Sequence, residues 1–158
     1  MTREEQITFA IRDLMKQEIN TALDSYDTDG TCRRFAVNSI LIWDYRESLP
    51  SYDNFILINA TTEPNKEAGR TFFADLSVYC NIFYKYQPLK EGLSYRKGAR
   101  YKAALARVIA DHYNRIIGTR KFEADFLDAT KVEALKNAQL LMTGVMTKTT
   151  INLTRNQP

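Results

Sequence analysis

From Phe72 to Tyr86 the chain alternates without a break. Phe72, Ala74, Leu76, Val78, Cys80, Ile82, Tyr84 and Tyr86 fall on one parity; Phe73, Asp75, Ser77, Tyr79, Asn81, Phe83 and Lys85 fall on the other. Alternate side chains of a strand point to opposite faces, so the pattern predicts one long strand with an apolar face along its whole length. At 3.3 Å per residue it would span ~50 Å, whereas a chain of this size packs to a radius of gyration of about 15 Å. Such a strand either bends sharply or projects beyond the domain body, and a projecting apolar strand needs a partner surface.

The remaining elements are read around it. Thr2-Arg3-Glu4-Glu5 fits a capping box, and Ile7, Ile11, Leu14, Met15, Ile19, Ala22 and Leu23 recur at helical spacing, which predicts a helix from Thr2 to Ser25. Phe35, Val37, Leu41, Trp43 and Tyr45 share a parity and predict a strand over 35–45, followed by a turn at Ser48 to Asn54. Phe55 to Ile58 is a continuous apolar run, suited to a strand covered on both faces. Thr61 to Arg70 reads as a polar loop, and Gln87 to Gly98 as another. A second helix is expected over Ala99 to Ile117, with Tyr101, Ala104, Leu105, Val108, Ile109, His112 and Ile116 as its apolar stripe and Gly118 as its stop. Residues 119–138 are ambiguous, with room for a short strand near Phe122 to Phe126 and a short helix over Thr130 to Asn137. Leu140 to Leu153 is the final strand, with Gly144 as a bulge candidate, and residues 154–158 form a loose tail.

The order helix, strand, strand, strand, helix, strand predicts an α+β fold: a mostly antiparallel sheet of about four strands with two main helices on one face. The 158 residues are expected to form a single domain. With 44% hydrophobic and 26% charged residues, the chain does not fit disordered, collagen-like or coiled-coil classes. No apolar run reaches the length of a membrane span, and the charged Met1-Thr2-Arg3-Glu4-Glu5 start carries the expectation of a protein that is not secreted. Cys32 and Cys80 are accordingly expected as two reduced thiols. Two cysteines and one histidine do not make a four-ligand zinc site.

The net charge of +3 conceals a division. Residues 1–91 hold ten Lys/Arg against fourteen Asp/Glu, and residues 92–158 hold twelve against five. Arg96, Lys97, Arg100, Lys102, Arg107, Arg115, Arg120 and Lys121 gather around the second helix, with Tyr95, Tyr101 and Tyr113 among them. Three uses fit such a face: phosphate contact and base stacking on nucleic acid, an acidic surface on a neighbouring copy, or plain solvent.

Catalytic chemistry finds little support. Asp27-Thr28-Asp29-Gly30 resembles part of an EF-hand loop, but Ser25 and Ala36 stand where the loop needs acids, so it reads as a helix-ending turn. His112, the single histidine, lies in the apolar stripe and reads as a packed or interface residue. Asp44 with Glu47, and Asp125 with Asp128, read as solvated charge. Walker A, Gly-x-Gly-x-x-Gly, Gly-x-Ser-x-Gly and His-Glu-x-x-His sequences are all absent. The expectation is a protein that is not an enzyme and holds no cofactor or metal.

The pattern of elements resembles the tail terminator, or tail completion and head–tail joining, proteins of tailed bacteriophages. Three parts carry the resemblance: the N-terminal amphipathic helix leading into Phe35 to Tyr45, the alternating strand Ala74 to Lys85 with the loop and basic helix after it, and the closing strand Gly144 to Leu153. The stretch from Thr119 to Asn137 is longer than in the smaller members. The resemblance implies a virion protein that closes into a ring, commonly of six copies, caps the tail tube and meets the head connector. It also implies assembly in the host cytoplasm, and passing contact with DNA in the lumen. Copies that meet acidic part to basic part suit a heterologous ring. The residues expected to contact a neighbouring subunit or partner are Arg96, Lys97, Arg100, Arg107, Arg115, Tyr52, Phe83, Lys85 and Tyr86. The alternative is a small nucleic-acid-binding module that uses the basic helix, 96–121.

Overall fold

The computed structural model describes residues 1–43, 52–65, 72–87, 90–112, 115–116, 123–133 and 139–154. The Ser48 to Ser51 part of the expected turn, Lys66 to Thr71, Tyr113, Gly118, Arg120, Lys121, Ala134 to Ala138 and the tail from Arg155 lie outside these residues.

Helix α1 spans Arg3–Asp24. Its start is the expected capping box: Thr2 Oγ1 accepts from the Glu5 amide at 3.1 Å, and Glu5 Oε2 accepts from the Thr2 amide at 2.7 Å. Its stripe, Ile7, Ile11, Met15, Ile19 and Leu23, is buried against the sheet.

A 3-10 turn, Val37–Ser39, precedes β1, Ile40–Ile42. Strand β2 is Asn54–Pro64, β3 is Phe73–Lys85, helix α2 is Leu93–His112, β4 is Glu123–Glu133 and β5 is Gln139–Asn152. The sheet order is β1-β2-β3-β5-β4.

Among the described residues the architecture is α+β with two helices and a sheet of five strands; the element order fits the expectation, but the sheet is mixed rather than mostly antiparallel. Strand β1 runs parallel to β2, while β2–β3, β3–β5 and β5–β4 are antiparallel. A parallel neighbour needs a crossover rather than a hairpin. The fifth strand, β4, occupies the ambiguous region and replaces the helix expected from Thr130, at least as far as Glu133.

Other boundaries also move. Among the described residues, which leave out Asp44 and Tyr45, the expected strand over 35–45 shrinks to three residues, with the opposite parity inward: Ile40 is buried while Val37 and Trp43 are exposed. The polar Thr61 to Pro64 continues β2, because it pairs with β3 down to Pro64↔Ala74. Helix α2 begins six residues early. Gly98, which reads as a loop residue, lies buried inside it, and the turn before it is made by Gly92 at φ +71°. Gly144 makes no bulge against β3. It faces Asn81, and an added Cβ would lie 2.7 Å from the Cys80 carbonyl and closer still to Asn81 Oδ1. The register irregularity lies on the other side, in β4 between Leu127 and Thr130.

The long alternating strand neither bends away nor projects alone. It is the middle of the sheet, paired along its full length with β5 and from Ala74 to Tyr84 with β2. Ala74, Leu76, Val78, Cys80, Ile82 and Tyr84 are all buried on the helix face. Tyr101 of α2 closes this core, with ring centroids 5.2 Å from Tyr84 and 5.5 Å from Phe35. Phe55 to Ile58 is covered on both faces, as its apolar run predicts: Ile56 and Ile58 join the helix-side core, while Phe55 and Leu57 join Leu140 on the far side.

Candidate partner-contact surface

The end of the sheet where β2 starts and β3 finishes collects most of the expected contact residues. Asn54 pairs with Tyr84, so Tyr52 and Tyr86, two residues further on, lie at that end. Both are exposed. The first turns of α2 add Arg96 and Lys97, and a polar cleft of about 350 Å³ lies between the elements, bordered by Arg33, Asp53, Lys85 and Lys97.

Much of the basic charge there is already paired within the chain. Arg100 Nη1 lies 2.7 Å from Asp27 Oδ1 and 2.5 Å from Asp29 Oδ1, and its Nη2 donates to Asp29 Oδ2 at 3.1 Å. Arg96 is 3.9 Å from the same Asp29 carboxylate. Asp53 bridges Lys85, at 2.7 Å, and Arg33. Hydrogen bonds from Arg100 and then Thr31 hold the Asp29 carboxyl well below its ordinary range, and the Lys85 hydrogen bond lowers Asp53.

Further along, Arg115 reaches Glu18 at 2.9 Å and also Gln17, and His112 Nε2 lies 3.6 Å from Glu18. Arg107 pairs with Asp111 at 3.4 Å and stands over the Tyr26 ring at 5.9 Å. The acidic and basic parts of the sequence therefore meet inside one chain, α2 and its flank against α1 and the loop after it.

The expected contact residues divide accordingly. Tyr52, Tyr86, Arg96, Lys97 and Lys85 share one exposed end. Arg107 and Arg115 lie along the helix seam. Arg100, with a side chain only 20% exposed, works as an internal clamp. Phe83 is not a protruding tip: its ring stacks on Phe55 at 5.2 Å on the sheet face opposite the helices. Tyr101 is core, whereas Tyr95 is 80% exposed. Arg33 joins the site without a sequence signal, while Asp53 belongs to the turn expected at Ser48 to Asn54 and meets Lys85 through the pairing of β2 with β3.

The opposite end differs in kind. Trp43 N–H donates to Ile58 O at 2.9 Å, the last described bond on that edge of β2. Backbone groups of alternate residues share an edge, so Ala60 and Thr62 direct theirs to the same side. Among the described residues no strand pairs with them there. Pro64, on the same parity, has no N–H to offer. A groove of about 860 Å³ follows this edge, between Trp43, Phe9 and the first turn of α1 with Glu4 and Glu5.

Neither thiol suits nucleophilic chemistry: burial pushes Cys80 up to about 12, and burial followed by the Asp27 charge does the same for Cys32. Among the described residues no group of three His, Cys, Asp or Glu side chains could hold a metal, and no helix is long and apolar enough to cross a membrane. Comparison with known proteins finds no family model and no curated protein that matches the chain.

Proposed function

We propose that the protein is a structural ring component at the head-proximal end of a phage tail, where it terminates the tail tube and joins it to the head connector. One observation carries the reading: the sheet has unlike ends. One is basic and aromatic, with Tyr52, Lys85, Tyr86, Arg96 and Lys97. The other has a stretch of β2 edge, at Ala60 and Thr62, that no strand pairs among the described residues, beside the acidic start of α1. Unlike surfaces that repeat around an axis make a heterologous ring when the rotation closes, and an open strand edge accepts an extended segment from a neighbour.

Six copies, the tail tube protein and the connector as partners, and assembly in the host cytoplasm belong to this proposal through the resemblance of the sequence pattern. The internal pairing of Arg100 and Arg115 leaves fewer free cations for a nucleic-acid module than the sequence count implies, so the ring is the better supported reading. Co-sedimentation with purified tail tubes tests it. Binding that saturates at a fixed small number of copies per tube end supports the reading, and no binding contradicts it.

A further inference from the structure

We propose that the cleft between α2 and β5 binds a small amphipathic anion: a carboxylate carried on an alkyl or aromatic body. The cleft holds about 660 Å³, within the range of about 300–1,000 Å³ typical of small-molecule sites. One wall is Ala99, Ala103 and Ala106, on the flank of α2 beside its core stripe. Their methyl groups leave room between the helix and the sheet. The floor is Leu141 and Thr143 of β5, which share the parity of the buried Val145 and so face the helix layer.

Among the described residues, two polar groups of the cleft have no partner. Thr143 is fully buried, and its Oγ1 makes no hydrogen bond. Its neighbour on the same face, Thr147, donates to the Val78 carbonyl at 3.3 Å. The sheet can therefore satisfy a threonine at this parity, and at 143 it does not. A buried hydroxyl without a partner destabilises the fold unless an acceptor arrives from outside.

Lys102 stands on the same flank, three residues from Ala99 and four from Ala106. Arg96, Arg100 and Arg107 of α2 each reach a carboxylate. Lys102 reaches none among the described residues. A carboxylate supplies both the acceptor oxygen that Thr143 lacks and the negative charge that Lys102 lacks, and the alanine and leucine surface takes the apolar body. Tyr95, at the mouth, is 80% exposed and offers an aromatic cover. The inference is independent of whether the chain forms a ring.

The probes are decanoate and the neutral decanol, both below micellar concentration, followed by titration calorimetry on the whole chain. Expected results are saturable one-to-one binding of decanoate at least tenfold tighter than decanol. Lys102→Met should erase that difference, and Thr143→Val should weaken decanoate several-fold. Ala103→Phe should abolish binding of both with the far-UV circular dichroism unchanged; Ala99→Leu, at a more exposed position, serves if Ala103→Phe does not fold. The inference is overturned if the wild-type chain binds neither probe, if it binds both equally, or if the filled cleft binds decanoate as before.

Discussion

Arg100 grips Asp29 with two parallel contacts, Nη1 to Oδ1 at 2.5 Å and Nη2 to Oδ2 at 3.1 Å, and the same Nη1 also reaches Asp27 at 2.7 Å. One guanidinium thus ties α2 to the loop that ends α1. A fork of this kind matches carboxylate geometry in a way that an ammonium does not. Arg100→Met should lower the urea midpoint without changing the slope, because it leaves Asp27, only 7% exposed, without its counter-charge. Arg100→Lys should recover only part of the loss. An unchanged midpoint in Arg100→Met would show that the clamp contributes nothing.

The depressed carboxyls make stability depend on acid. The folded pKa values of Asp29 and Asp53 lie below the unfolded value, so the unfolded chain binds more protons at low pH. The contribution is complete above the unfolded pKa of about 4 and is lost as pH falls through the folded values. The Tm should be flat from about pH 7 to pH 5.5 and fall below about pH 4.5. Asp29→Asn should flatten that limb. Both carboxylates are partly exposed, so about 0.5 M salt should shrink the effect. A Tm that rises on acidification in this window would contradict the assignment.

Gly144 is needed for space rather than for an unusual backbone angle. A Cβ there would crowd the Asn81 side chain and the Cys80 carbonyl of the central strand. Gly144→Ala should destabilise by about 1–3 kcal/mol, as overpacking does, read from urea unfolding. A neutral result would mean that Asn81 swings aside without cost.

What could be read from the sequence was local. The capping box at Thr2 and Glu5, the stripe of α1 and the alternation of β3 each need only neighbouring residues, and each stands as written. What could not be read depends on partners distant in sequence. The parity of Phe35 to Tyr45 points inward only if that segment is a strand throughout, and Ile40 settles instead beside Ile56. The length of β3, which suggested a projecting arm, is absorbed by β2 and β5 pairing on either side. Gly98 reads as a breaker until α2 lies close on the sheet. The charge division was visible, but not that Asp29 and Glu18 would meet Arg100 and Arg115 inside one chain. For the candidate surface, Tyr52, Lys85, Tyr86, Arg96 and Lys97 were named from sequence and Asp53 lies in the expected Ser48 to Asn54 turn, while Arg33 and the ion pairs of Asp53 arrive only through the fold.

The most direct test of the ring is the mass and shape of the assembled protein. Size-exclusion chromatography with light scattering, followed by electron microscopy, should be run with and without tail tubes. The account predicts closed rings of uniform copy number, alone or seated on tube ends. It also predicts their loss in Thr62→Pro, which removes a donor from the β2 edge that no described strand pairs, without touching the β2–β3 ladder, and should leave the circular dichroism unchanged. Monomers under both conditions, or rings that form equally well with proline at position 62, would contradict it.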